Sequence, residues 1–226
     1  MQIGFLLFPG LTQLDLTGPF EVFGSMPDVE LSLIWKTVQP VTSDTGMRIL
    51  PSHSFETAPK LDLICVPGGP GQIDLMSDAE TLAFLRGVAQ DCRWITSVCT
   101  GALVLAAAGL LTGYRATSHW ASLDQLGMFG AIPVPERVVR DRDRITGAGV
   151  TSGIDFALTV AAEIWGRRAA EEIQLQIEYD PAPPFNTGSP ASAGAALLAA
   201  VRADLAPFIE RRRKASEMAA RALRGA

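Results

Sequence analysis

The chain has 226 residues, 48% of them hydrophobic, with a formal net charge of -5 and a pI near 5.1. That length and apolar fraction suit one well-buried domain over 1–226, and the acidic balance argues against a surface built for nucleic acid or anionic lipid. No apolar run approaches the ~20 residues of a membrane span, and Met1 leads straight into a strand-like segment without a basic leader, so a cytoplasmic protein is expected.

Gln2 to Phe8 reads as the first strand, ending at Pro9-Gly10, and a helix is expected over about Phe20 to Ser25, with Pro19 at its first position and Thr17 or Gly18 capping it. Asp15 falls in the loop between them. Beside Leu14 and Leu16, its carboxylate is either partly buried, with a pKa raised by desolvation, or a surface or capping group. Leu31 to Lys36 reads as a second strand, weak strands follow near Val41-Thr42 and Met47 to Leu50, and His53 is expected to face solvent. The apolar run Leu61 to Val66 suits a strand covered on both faces, with Cys65 as a small core residue. Pro67-Gly68-Gly69-Pro70-Gly71 then either ends that strand plainly or carries the backbone on a path that brings amide N–H groups close to a ligand.

Asp78 caps a helix over about Ala79 to Gln90, and Cys92 in the next turn has no obvious partner. The segment Arg93 to Val98 is a strand that passes at Cys99 into a helix of small residues and Leu ending at Gly109, a C′ position. Such a strand-to-helix elbow lifts one side chain out at the carboxyl edge of a sheet, where the helix dipole favours thiolate. Ser97 and Gly101 stand at the glycine positions of the Gly-x-Ser-x-Gly elbow pattern, so that pattern is incomplete. Three cysteines without Cys-x-x-Cys spacing suggest neither a disulfide framework nor a thiolate metal site.

His119 is the one histidine placed where a site could use it, as a base, a substrate contact or a packed structural residue. Glu136 to Asp141 and Arg144 to Thr146 read as strands joined at Arg142-Asp143. A helix begins near Thr151, with Ser152 and Asp155 spaced as a capping box, and runs to Trp165. Its start, with Val150 and Thr151, could face the pocket. A helix over Arg168 to Ile177, an irregular connector over Pro181 to Pro190 and a last helix over about 191–224 complete the chain. Arg211-Arg212-Arg213-Lys214 reads as a solvated helix end, and the apolar stripe of that helix suits packing on a partner subunit. Alternating strands and helices imply an α/β fold, a mostly parallel central sheet with helices on both faces, whose ligands bind outside the carboxyl ends of the strands. Asp15, Gly68-Gly69 and Cys99-Thr100 all follow predicted strands and so converge on one edge.

Four stretches together, Leu14-Asp15-Leu16-Thr17-Gly18-Pro19, Pro67-Gly68-Gly69, Thr96-Ser97-Val98-Cys99-Thr100-Gly101 and Ala116-Thr117-Ser118-His119-Trp120, resemble the DJ-1/PfpI superfamily. Within it the chain is most similar to the bacterial isonitrile (isocyanide) hydratases, from Gln2 through the connector into the last helix. The resemblance implies a flavodoxin-like sandwich with a nucleophile elbow at Cys99, a homodimer, a small isocyanide substrate with water, and no metal or organic cofactor. It also implies a mechanism. The Cys99 thiolate attacks the terminal carbon of R–N≡C, Asp15 protonates that carbon, and water hydrolyses the thioimidate with Asp15 as base to release an N-substituted formamide. Thr100 would steady Asp15 by a hydrogen bond, with Gly68, Gly69, Val150 and Thr151 lining the pocket and His119 beside them. Protease-like members place a histidine directly after the nucleophile and many members carry glutamate at the acid position; Thr100 and Asp15 here match the hydratases instead. Two other readings of the same resemblance are a ligand-sensing domain like those of AraC-type regulators, which carry a helix-turn-helix region downstream, and a cysteine-based redox or stress protein.

Overall fold

A computed structural model describes residues 1–225. In chain order the elements are β1 (Gln2–Leu6), α1 (Gln13–Gly24), β2 (Glu30–Trp35), β3 (Val41–Thr42), β4 (Arg48–Ile49), β5 (His53–Ser54), β6 (Leu63–Val66), α2 (Gln72–Leu75), α3 (Ala79–Asp91), β7 (Trp94–Val98), α4 (Gly101–Ala107) and β8 (Arg115–Ala116). A 3-10 segment (Trp120–Phe129), β9 (Ile132–Pro133), β10 (Val138–Asp141), β11 (Arg144–Gly147), α5 (Ser152–Trp165), α6 (Arg167–Gln176) and α7 (Ala195–Gly225) follow.

Seven strands form the main sheet in the order β10-β11-β7-β6-β1-β2-β5. Its pairs are parallel except β10 with β11, the hairpin that turns at Arg142-Asp143. The central strands β6 and β7 are buried at every residue, which is why β6 is a continuous apolar run and β7 shows no polar-apolar alternation, its Thr96 hydroxyl bonding the Ile64 carbonyl at 2.9 Å. Helices α1, α5 and α6 pack together as one layer, while α2, α3, α4, α7 and the 3-10 segment form the other. From β1 the chain goes first to β2 on one side and later to β6 on the other, so the strand order reverses between β1 and β6. The carboxyl ends of those two strands open the crevice in which α/β proteins place their ligands.

The first helix differs from expectation. It starts at Gln13, so Asp15 stands in its first turn and Pro19 inside it. A proline there removes the N–H that would bond the carbonyl four residues back, a loss tolerated because the ring serves the α1–α5 contact. A Cβ on Gly153 would lie 3.1 Å from Pro19 Cδ, and one on Gly18 would lie 3.3 Å from Ile154 Cγ1. The capping box at α5 does not form: Thr151 occupies the cap position without a side-chain bond, and Asp155 is taken by Arg137 and by the Tyr179 hydroxyl at 3.1 Å. His53 is half-buried on the edge strand, with Nδ1 2.9 Å from Ser52 Oγ, rather than facing solvent. Cys92 does find a partner, donating to the Leu61 carbonyl at 3.3 Å.

Phe23 closes α1 over the sheet, fully buried, with its ring centroid 6.1 Å from that of Phe5 and 6.3 Å from that of Phe156. Phe23→Ala is expected to destabilise the fold by about 3 to 5 kcal/mol, read as a lower urea midpoint at unchanged slope.

Candidate active site

The elbow is built from the centre of the sheet outward. β7 ends at Val98, and Cys99 takes a left-handed backbone with φ +56°, a conformation uncommon for a residue with a side chain. Two carbonyls hold it there: the Cys99 N–H is shared between Gly147 O at 3.0 Å and Ala148 O at 2.8 Å. The Ser118 hydroxyl donates to the Cys99 carbonyl at 3.0 Å. Gly101 begins α4 against the end of β6 so closely that a Cβ would run into the Val66 carbonyl. Only glycine permits that approach.

Gly68 brings the β6 end to the elbow. A Cβ on it would lie 2.5 Å from Thr100 N, 2.6 Å from Thr100 Oγ1 and 2.9 Å from Asp15 Oδ2. Its N–H donates to Asp15 Oδ2 at 2.9 Å, and the next amide, Gly69 N–H, donates to Thr100 Oγ1 at 3.1 Å. Both amides are thus taken: they orient Asp15 and Thr100 rather than pointing at a ligand, one of the two paths the sequence left open for this loop. Thr100 likewise ties the glycine loop to the elbow; its hydroxyl bonds Gly69 and reaches Asp15 only through that loop.

Asp15 is fully buried, and its Oδ1 has no hydrogen-bond partner. Burial raises its pKa from the ordinary 3.8 to about 7, against the lowering influence of the Gly68 N–H and the Cys99 thiol, with Asp44 raising it further. Cys99 is 5% exposed, and burial pushes its thiol well above the ordinary range; the negative charge of Asp15 adds to this, while the Thr100 N–H and the Arg212 charge oppose it. Burial and the neighbouring Asp15 carboxyl thus work against the thiolate that the helix dipole favours. Helix α4 has only seven residues, too little to offset that desolvation. Cys65, one strand over, is pushed up to about 12 by burial and stays an inert core thiol.

Asp15, Gly68, Gly69, Cys99 and Thr100 are thus brought together, and the other candidates lie around them. His119 caps the 3-10 segment, its Nδ1 accepting from Ala121 N–H at 3.3 Å, and its ring covers Gly149, where a Cβ would be 3.3 Å from Cδ2. Burial lowers its pKa to about 4, helped by Arg212, so the ring is neutral at physiological pH. Val150 and Thr151 face outward and line a groove of about 680 Å³ with Leu14, Ile154, Tyr179 and Pro181. Among the described residues no group of three or more His, Cys, Asp or Glu is placed to share a metal ion.

Arg212 was missed. Read from the sequence as part of a solvated helix end, it is 4% exposed and donates from Nη1 to Ser122 Oγ at 3.0 Å. The signal was periodicity: Arg212, Ser216, Ala219 and Ala220 recur at helical spacing and form the buried face of α7.

Residues 1–163 match the DJ-1/PfpI family. The isonitrile hydratase of Pseudomonas putida is 55% identical over 220 residues, covering 97% of this chain and 96% of that protein. The HTH-type transcriptional regulator GbdR of Pseudomonas aeruginosa (strain UCBPP-PA14) is 31% identical over 188 residues, and the match spans 79% of this chain but 51% of the regulator. Among solved structures, a ThiJ/PfpI family protein from Pseudomonas syringae superposes with TM-score 0.93 at 48% identity, covering 95% of this chain and 90% of that one. Oxidised DJ-1 of Toxoplasma gondii shares the fold, with TM-score 0.70 at 21% identity over 80% of this chain and 99% of its own. The expected α/β sandwich is the fold observed.

An acid whose pKa is higher folded than unfolded keeps its proton more tightly in the native state, so its contribution to stability falls as pH rises between the two values. For Asp15 that window runs from 3.8 to about 7. Asp15→Asn, which keeps the acceptor for Gly68 N–H, should be more stable than the native chain above pH 7, by up to about 4 kcal/mol. Urea unfolding across the window should show the difference vanish toward pH 4.

Proposed function

The chain belongs to the DJ-1/PfpI family, and from that premise we propose that it hydrates isocyanides to N-substituted formamides through a covalent intermediate on Cys99. The observation that carries this reading is the burial of Cys99, on its left-handed elbow, together with Asp15, held by Gly68 N–H at 2.9 Å, where burial raises the carboxyl pKa to about 7. The identity of 55% to an isonitrile hydratase along nearly the whole chain supports the choice of substrate class.

Ionised Asp15 takes the Cys99 proton as the sulfur attacks the terminal carbon of R–N≡C, and returns it to that carbon. The S–C and C–H bonds form together, one C–N π bond is lost, and a thioimidate, R–N=CH–S–Cys99, results. Asp15, ionised again, then removes a proton from water as the water oxygen adds to the same carbon, and passes that proton to the nitrogen. Collapse of the S–C bond releases R–NH–CHO, and the hydroxyl proton passes through Asp15 to the sulfur to restore the thiol. Atoms balance with water as the only co-reactant. Thr100 and Gly68 hold the acid in register, and Gly69 holds Thr100. The groove by Val150 and Thr151 is assigned to the substrate's organic group. We take the chain to act as a cytoplasmic homodimer, one domain per protomer, without metal, organic cofactor, nucleic-acid or membrane partner. The net charge of -5 supports the absence of nucleic acid, and the exposed Leu197 and Val201 on α7 offer a face for the second copy. Among the described residues no helix is long and apolar enough to cross a membrane.

Formamide production from cyclohexyl isocyanide tests this. Cys99→Ala should abolish it, and Asp15→Asn should lower kcat by roughly 10²- to 10⁴-fold. Turnover that survives Cys99→Ala would exclude the covalent route; absence of turnover in the native chain would return the sensor-domain reading. Because ionised Asp15 must accept the thiol proton, kcat/KM should rise with pH through about 7 and level off above it.

A further inference from the structure

Arg212 is the buried charge that this reaction leaves unused. Its Nη1 is held by Ser122 Oγ at 3.0 Å, its guanidinium carbon lies 4.5 Å from the Phe208 ring centroid, and its Nε is buried without a partner. No carboxylate among the described residues forms a salt bridge with it: Asp124 pairs with Arg213 at 2.6 Å, and Glu210 with Lys214 at 3.7 Å. Keeping a cation buried without a counterion is costly, and the groups around its Ser122 contact lead inward to the elbow. There, Ser122 N–H bonds the His119 carbonyl at 2.9 Å, and Ser118, one residue before His119, holds the Cys99 carbonyl at 3.0 Å. The guanidinium thus stands behind the elbow, across the 118–122 turn.

We propose that Arg212 is a positioning residue of the Cys99 site: held by Ser122, its charge favours the thiolate at the moment the sulfur gives up its proton. This deepens the reading of Cys99 as nucleophile. The groups that act on the sulfur come from three elements: Asp15 from α1, the Thr100 amide at the elbow and Arg212 from α7. Asp44 acts through Asp15, Arg211 acts on Arg212, and the His119 ring between them is neutral. Of the groups that act on the sulfur Arg212 is the one cation, and its charge opposes the repulsion that Asp15 imposes on a developing thiolate.

The test reads thiol chemistry rather than turnover, so it stands apart from the substrate assignment. Alkylation of Cys99 by iodoacetamide is followed by peptide mass spectrometry across about pH 6 to 10, with Cys65 and Cys92 as internal controls. Arg212→Met should slow Cys99 alkylation about tenfold at each pH across this range. Arg212→Lys should restore most of the native profile, and the control cysteines should not move. A folded Arg212→Met chain with an unchanged Cys99 profile overturns the proposal, as does a slowing shared equally by all three cysteines. Should Arg212→Met not fold, Ser122→Ala decides, since it keeps the charge but frees the guanidinium: slower Cys99 alkylation supports the proposal and an unmoved profile overturns it.

Discussion

The structure depends on a carboxyl deprived of water. Asp15 is fully buried, with one oxygen held by Gly68 N–H and the other unpartnered, and this desolvation outweighs the hydrogen bonds that would favour its ionised form. The result is a group that exchanges protons at neutral pH next to a thiol that would otherwise keep its own. Neither residue has the required chemistry alone. A solvated aspartate would be too weak a base, and a thiol buried beside a permanent carboxylate would be too weak a nucleophile.

Holding that pair in place accounts for the close contacts around it. Gly68 and Gly101 let the end of β6 meet the elbow at distances no side chain allows, and Pro19 with Gly153 sets the α1–α5 contact that positions the first turn carrying Asp15. Cys99 keeps its left-handed backbone because two carbonyls share its N–H. The rigid sheet centre thereby stores modest local strain where the reacting side chain must project.

Much of this was legible in the residues. A continuous apolar run marked β6 because a buried parallel strand has no polar face, and the elbow at Cys99 was legible because a β-branched run gives way there to small helix formers. The convergence of Asp15, Gly68-Gly69 and Cys99 on one sheet edge followed from the alternation of strands and helices. What stayed hidden depended on tertiary surroundings. The start of α1 was obscured by Pro19, tolerated only through its packing on Gly153. Burial, invisible in one dimension, works at Cys99 against the thiolate that the dipole of the seven-residue α4 favours. Arg212 was lost among neighbouring cations, although its spacing from Ser216 and Ala219 placed it on the inward face.

The most direct measurement is the titration of the Asp15 carboxyl carbon by ¹³C NMR in aspartate-labelled protein, assigned with Asp15→Asn. A midpoint near 7 is expected in the native chain, moving higher in Cys99→Ala, where the thiol no longer donates to the carboxylate. A midpoint near the ordinary 3.8, or one indifferent to the loss of Cys99, would contradict the account.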